Sequence, residues 1–165
     1  MTEKIIKKKI FGNVKELEKF LHIWRFKNLK IVFTNGCFDI LHRGHIEYLL
    51  EASKLGDILI LGLNTDDSIR RLKGESRPIQ DQKTRSILLA AYSFINAVIF
   101  FDDDTPIELI KIIRPDILVK GGDYKKEEIV GYDFVTSYGG EVIVLPYIEG
   151  YSTTEIINKI SYSKK

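Results

Sequence analysis

The sequence predicts an α/β fold in which a doubly wound, parallel, five-stranded sheet carries helices on both faces. Five short segments are nearly continuous runs of Ile, Leu, Val or Phe, and strands without polar alternation are typical of sheets that are covered on both faces. Segments with helical periodicity separate these strands. This alternation requires parallel strands joined by crossover helices.

The N-terminal segment predicts a helix. Asn13 and Glu16 form the pattern of a capping box. Apolar residues then recur every three or four positions, at Val14, Leu17, Leu21 and Trp24. We therefore expect residues 1–27 to form an N-terminal helical extension and residues 28–165 to form the domain that carries the sheet.

The remaining elements follow in regular alternation. The predicted strands span residues 29–34, 57–64, 97–101, 116–120 and 141–146. The predicted helices between them span residues 46–55, 66–72, 83–93, 106–113 and 127–138. Ser152 and Glu155 form a second capping box, which opens a final helix. The arrangement is Rossmann-like, and in open sheets of this type ligands bind beyond the carboxyl ends of the strands.

Composition and charge exclude several classes of protein. The chain has 25 Lys and Arg against 23 Asp and Glu, and a net charge of +2 is too balanced for a protein that coats nucleic acid. A single cysteine, Cys37, rules out a disulfide framework within the chain. No apolar run reaches the length of a secretory signal or a membrane span. We expect a cytoplasmic protein with no nucleic-acid or membrane partner.

The stretch from Thr34 to His45 joins the first of these strands to the next helix and carries the most chemical information. The start of a helix presents free N–H groups and the positive end of the helix dipole, which together suit a phosphate. His42 and His45 both fall at this junction, and Gly44 allows a ligand to approach the backbone. The pattern predicts an anion site, with ordinary capping histidines and a zinc site that includes Cys37 as the alternatives.

Two other nucleotide-binding patterns are missing from this junction. No Gly-x-x-x-x-Gly-Lys-Ser/Thr is present, and no Gly-x-Gly-x-x-Gly follows the strand. Kinase and dehydrogenase interpretations are therefore weakened.

The motif Gly36-x-Phe38-Asp39 followed by His42-x-Gly44-His45 resembles the signature of the cytidylyltransferase-like nucleotidyltransferase superfamily. Three further stretches, at residues 71–78, 120–124 and 150–154, are similar to the adenylyltransferase half of the bifunctional ADP-heptose synthases of bacterial lipopolysaccharide assembly. The resemblance runs from about residue 28 to residue 160. It implies that the nucleotidyltransferase domain, residues 28–165, transfers AMP from ATP to a heptose 1-phosphate and releases pyrophosphate.

The resemblance also implies accessory components. Mg²⁺ is expected to accompany ATP, with no metal ligands identified in the protein. The bifunctional synthases carry an N-terminal sugar kinase domain, so a separate sugar kinase is implied here. A homodimer is expected because family members are commonly homodimers.

The catalytic residues that the resemblance implies are His42 and His45, on the triphosphate, and Lys73, from the loop after a helix. The implied binding residues are Thr34, Asn35, Gly36, Cys37, Phe38, Gly44, Arg77, Lys120, Gly121, Asp123, Ser152, Thr153 and Thr154. Asp39 is interpreted as a structural orienter. Arg85 is a candidate for a phosphate contact, with an ion pair to an acid on its own helix surface as the alternative.

Two alternatives to the heptose reaction stay open. The related glycerol-3-phosphate cytidylyltransferases use CTP and carry an arginine shortly before Gly-x-Ser-Thr-Thr, where this chain has Tyr147. A nucleotide-sensing or interaction module could also share the fold, although the intact His42, Gly44, His45 and Lys73 argue against it.

Overall fold

A computed structural model describes residues 3–146 and 150–162 and contains one parallel sheet. Its strands are β1 (Ile10–Phe11), β2 (Ile31–Gly36), β3 (Ile58–Asn64), β4 (Ala97–Phe101), β5 (Ile117–Gly121) and β6 (Glu141–Leu145). The spatial order is β1-β4-β3-β2-β5-β6. The chain moves outward from β2 through β3 to β4, and then returns to add β5 on the other side of β2.

The helices connect and flank these strands. They are α1 (Glu3–Lys7), α2 (Val14–Phe26), α3 (Arg43–Ser53), α4 (Asp66–Lys73), α5 (Gln82–Ala90), α6 (Ile107–Ile113), α7 (Tyr132–Ser137) and α8 (Thr153–Tyr162), with a 3₁₀ turn at Lys126–Glu128. Within residues 3–146 and 150–162, no helix combines the length and the apolarity needed to cross a bilayer.

Alternate residues of the strands point into two separate apolar layers. Phe33 of β2 packs in the layer that α2, α6 and α7 cover, whereas its neighbour Val32 packs in the layer that α3 and α5 cover. Every residue of β3 is buried. Helices on both faces explain why the strands are apolar without alternation, and the doubly wound fold class is confirmed.

The predicted number of five strands is wrong, because the sheet has six. The additional strand is β1, in which Ile10 and Phe11 lie opposite Val98 and Ile99 of β4. Two residues are too few for a periodic pattern, and the pairing partner lies 88 positions along the chain. Only the folded sheet brings this edge strand into position.

The predicted continuous helix over residues 127–138 is also wrong. The chain makes one 3₁₀ turn and then passes through Gly131, whose φ of +96° is left-handed, before α7 begins. A Cβ at Gly131 would lie 2.8 Å from Ile110 Cδ1, so the glycine also permits close packing against α6. Other helix ends differ from the predicted ones by one to three residues.

The N-cap hydrogen bond of each predicted capping box is confirmed. Asn13 Oδ1 accepts a hydrogen bond from the Glu16 backbone N–H at 3.2 Å, and Ser152 Oγ accepts one from Glu155 at 3.1 Å. The first box sets the start of α2, whose Leu17 and Leu21 are fully buried against the sheet. The segment before residue 28 therefore contributes both a strand and core side chains.

We expect Leu21→Ala to lower the free energy of unfolding by about 2–5 kcal/mol, because it removes a buried side chain and leaves a cavity. Phe26→Ala on the same helix is the matched control. Its ring is 89% exposed, and we expect a change within about 0.5 kcal/mol. Urea denaturation followed by circular dichroism measures both, and equal stabilities for the two variants would contradict a structural role for α2.

Candidate active site

A cavity of about 700 Å³ opens at the carboxyl edge of the sheet, between the ends of β2 and β5. The N-terminus of α3, the loop after α4 and the N-terminus of α8 complete its walls. The predicted site residues that line it are Asn35, Gly36, Cys37, Phe38, His42, Gly44, His45, Lys73, Arg77, Lys120, Gly121, Ser152, Thr153 and Thr154. Residues that are separated by up to 119 positions in the chain are thus brought together.

Two predicted binding residues do not line this cavity. Thr34 is fully buried, and its hydroxyl lies 2.6 Å from the hydroxyl of Tyr48, which does line the cavity. Thr34 therefore supports the wall from behind. Asp123 is exposed and lies outside the lining.

The two histidines stack at the start of α3. His42 is the N-cap residue, and its Nδ1 accepts a hydrogen bond from the His45 backbone N–H at 3.4 Å. The two rings lie 3.8 Å apart between centroids at an angle of 20°. His42 therefore does cap the helix, and it also faces the cavity. When its Nδ1 accepts, the neutral ring carries its proton on Nε2, which can donate to a ligand.

Gly44 stands where a side chain would be tightly confined. A Cβ there would come within 3.1 Å of both His42 Nδ1 and Tyr151 Cβ. Any side chain would push against the histidine ring and against the segment that leads into α8.

Burial favours the neutral form of both imidazoles. Burial lowers the pKa of His45 to about 4, and the neighbouring His42 and Lys73 add to this effect. Burial also lowers the pKa of His42. A bound anion would raise both pKa values, because it favours the charged form of each ring.

Asp39 orients the loop that brings two cations to the cavity. Its buried carboxylate accepts hydrogen bonds from the backbone N–H groups of Ile79 at 2.8 Å and Gln80 at 2.9 Å. Arg77 Nε lies 2.7 Å from the same carboxylate in an ion pair. With its oxygens engaged in this way, Asp39 holds the segment after Lys73 in place, as its interpretation as an orienter requires.

The structure contradicts a phosphate contact by Arg85. The side chain is fully buried, and it donates to the carbonyls of Gln80, Cys37 and Asn64 at 2.7–3.0 Å. Its Nη2 pairs with Asp66 on α4 at 2.7 Å, so the acid lies on another helix and not on its own. Arg85 is a structural hub directly beneath the cavity.

The described residues offer no ready-made metal centre. Across residues 3–146 and 150–162, no group of three or more His, Cys, Asp or Glu side chains could hold a metal ion. Cys37 faces Asn64, with Sγ 3.9 Å from the amide oxygen. The zinc alternative therefore gains no support.

Sequence reasoning did not select several residues that line the cavity. Tyr124 and Tyr151 lie within the motif stretches themselves, and Tyr48 and Glu128 follow on neighbouring elements. The motif positions of the two tyrosines could have identified them, whereas Tyr48 required knowledge of which face of α3 turns inward.

A family model described as cytidylyltransferase-like matches residues 33–159. The chain belongs to the cytidylyltransferase-like family. The resemblance predicted from residues 36–45 is confirmed, and the matched span includes every cavity-lining residue named above.

Curated relatives are similar to most of this chain. The bifunctional protein HldE of Syntrophotalea carbinolica is 56% identical over 144 residues, which are 87% of this chain and 29% of that protein. HldE of Campylobacter jejuni subsp. jejuni is 52% identical over 92% of this chain and 32% of its own length. The chain spans about 30% of the length of these curated relatives.

Solved structures agree on the fold. The lipopolysaccharide core biosynthesis protein of Thermoplasma volcanium is 31% identical, with a TM-score of 0.60 over 75% of this chain and 99% of that one. The pantoate-beta-alanine ligase of Francisella tularensis has a TM-score of 0.61 over 93% of this chain and 77% of that one, at 17% identity. The second similarity concerns the fold alone.

These comparisons do not favour the glycerol-3-phosphate alternative, since the curated relatives reported above are HldE proteins. Tyr147 stands where the glycerol-3-phosphate cytidylyltransferases carry an arginine, and it lies outside the described residues.

We expect Arg85→Met to lower the free energy of unfolding by about 3–5 kcal/mol, because it leaves Asp66 and three backbone carbonyls without their donor. Arg70→Met is the matched control. Arg70 is exposed and forms only an i,i+3 ion pair with Asp67, so we expect a change of at most about 1 kcal/mol. Urea denaturation at pH 7 measures both, and an unchanged midpoint for Arg85→Met would refute the hub.

The lowered pKa of His45 predicts a loss of stability in acid. The unfolded chain takes up this proton near pH 6.5 and the folded chain only near pH 4. The stabilising effect is therefore complete above pH 6.5 and declines as the pH falls toward 4. An NMR titration of the imidazole resonances should give a midpoint near 4 for His45, rising when pyrophosphate is added. A midpoint at or above 6.5 without ligand would show that the ring is not desolvated.

Proposed function

We propose that this protein is a nucleotidyltransferase that transfers AMP from ATP to the phosphate of a heptose 1-phosphate, giving ADP-heptose and pyrophosphate. The observation that carries the proposal is the stacked His42–His45 pair at the N-terminus of α3, open to the cavity at the carboxyl edge of the sheet. The similarity to HldE proteins supports the choice of heptose, through the resemblance to the ADP-heptose synthases.

The reaction is an in-line displacement at phosphorus. A deprotonated oxygen of the acceptor phosphate attacks the α-phosphorus of ATP, and a new P–O bond forms. The bond from the α-phosphorus to the α,β-bridging oxygen breaks, and pyrophosphate leaves with the electron pair. No proton need be removed from the nucleophile, so the protein acts by positioning the two phosphates and by stabilising the charge that moves onto the leaving group.

The roles of the side chains follow from their positions. His42 and His45 donate from the start of α3 to the triphosphate, where helix N–H groups add to the binding of an anion. Lys73, at the end of α4, and Arg77, in the segment that Asp39 holds, would stabilise the negative charge that grows on pyrophosphate. The hydroxyls and N–H groups of Ser152, Thr153 and Thr154 offer further donors at the start of α8.

Magnesium fits the site as part of the substrate. Mg²⁺ usually keeps several waters and binds substrate phosphates directly, without a cage of protein ligands. The scarcity of carboxylates in the cavity lining, which has Asp39 and Glu128, agrees with entry of the ion as MgATP.

The wider setting follows from the chemistry. The acceptor is a phosphomonoester, and we propose that a sugar kinase supplies it. We also propose a homodimer, as is common in the family. Use of ATP and a single cysteine accord with a cytoplasmic location.

Pyrophosphate release from purified protein tests the proposal. ATP, CTP and GTP are each paired with heptose 1-phosphate, with glycerol 3-phosphate and with no acceptor, in the presence of Mg²⁺. We expect release only with ATP and heptose 1-phosphate. His45→Ala should lower kcat by about 10²–10³-fold, because it removes a donor to the charge that develops in the transition state.

His22→Ala is the matched control, since His22 is exposed on α2 and does not line the cavity. It should keep full activity. Release with CTP and glycerol 3-phosphate would contradict the heptose reaction and would identify the protein as a glycerol-3-phosphate cytidylyltransferase. No release with any pair would contradict the enzymatic proposal and favour a nucleotide-binding module.

A further inference from the structure

Lys120 is a mostly buried lysine in the cavity wall, and the mechanism above gives it no task. It lies on β5, next to β2, where Phe33 is opposite Leu118 in the parallel pairing. Two residues further on, the same register places Lys120 beside Asn35. Its Nζ donates a hydrogen bond of 2.6 Å to the side-chain oxygen of Asn35.

This ammonium group lacks a counter-charge. Within residues 3–146 and 150–162, no Asp or Glu forms an ion pair with Lys120. One of its three N–H donors binds Asn35, which leaves two donors for a ligand. Burial lowers the pKa of Lys120 to about 8, and the charge that Cys37 carries when ionised opposes this shift. A buried cation that faces a cavity in this way is suited to an anionic ligand.

The position of Lys120 separates it from the other cations of the cavity. Lys73 ends α4 and Arg77 lies in the loop after it, on the side of β2 that carries β3, whereas Lys120 is the penultimate residue of β5 on the other side. The reaction joins two anionic substrates, so two anion-binding regions are needed. Lys73, Arg77 and the histidines account for the triphosphate, and Lys120 remains for the second substrate.

We propose that Lys120, held by Asn35, binds the phosphate of the acceptor and thereby restricts the enzyme to phosphomonoester acceptors. This inference rests on the proposed function. Lys120 would contact the oxygens that do not attack, so that the attacking oxygen stays free to reach the α-phosphorus. It binds and aligns the acceptor and transfers no proton.

Steady-state kinetics of Lys120→Met test this assignment. Met matches the length of the side chain and removes its charge. We expect the KM for heptose 1-phosphate to rise roughly tenfold or more, and the KM for ATP to stay within about twofold. Lys73→Met should show the converse, with ATP affected more than the acceptor. Lys83→Met, exposed on α5 and outside the cavity, should match the wild type.

The pH profile gives a readout that a merely structural role would not move. The kcat/KM for the acceptor reports groups of the free enzyme, so it should fall as the pH rises through about 8, where Lys120 loses its proton. Other titratable groups also line this side of the cavity, namely Cys37, Tyr48, Tyr124 and Glu128. The decline should therefore be absent in Lys120→Met, which has no charge to lose, and absent in Lys120→Arg, whose guanidinium stays charged and keeps kcat/KM above that of Lys120→Met. An identical decline in Lys120→Met would overturn the assignment.

Equilibrium binding separates failure of this inference from failure of the proposed function. Calorimetric titration with heptose 1-phosphate, glycerol 3-phosphate and unphosphorylated heptose needs no turnover. Binding of a phosphorylated ligand by the wild type and by Lys83→Met, lost in Lys120→Met and recovered in part in Lys120→Arg, would support the role of Lys120. Equal binding by the wild type and a folded Lys120→Met would overturn it, even if ATP turnover is normal. If the phosphorylated ligand binds through Lys120 but no pyrophosphate is released, the proposed reaction is refuted and the anion-binding role of Lys120 is retained.

Discussion

The architecture of the active site depends on one buried guanidinium group. Moving a charged group out of water costs several kcal/mol unless its donors find acceptors. Four of the five N–H donors of Arg85 find acceptors in the loop after β2, the end of β3, the start of α4 and the loop before α5, at Cys37, Asn64, Asp66 and Gln80. These segments must therefore adopt one arrangement for the arginine to be buried at all. The floor of the cavity is set before any ligand binds.

Carboxylates inside the protein are used for positioning, and this leaves the cavity rich in donors. Asp39 binds the 79–80 backbone and Arg77, and Asp66 pairs with Arg85. Burial lowers the pKa values of both His45 and Lys120, and the nearby Lys73 lowers that of His45 further. An anionic substrate would supply the missing charge and reverse both shifts. The donors and cations of the cavity are thus suited to the negative charge of the substrate phosphates.

Local sequence was sufficient to predict the geometry at the start of α3. His42, Gly44 and His45 lie within one turn of a helix start, so their cap hydrogen bond and ring stacking follow from residues that are adjacent in the chain. Prediction failed where partners are distant. The partner of β1 is β4, and the acceptors of Arg85 lie up to 48 residues away. Periodicity and spacing within a short segment cannot predict contacts between residues that are distant in the chain.

The sequence by itself determined the doubly wound fold class, both capping boxes and the junction that carries the histidines. It could do so because burial on two faces, helix caps and dipoles are properties of short segments. The tertiary structure alone decided that Arg85 is a hub and that Lys120 of β5 meets Asn35 of β2. Each of these depends on which strands become neighbours, and in a parallel sheet neighbouring strands are far apart in the chain.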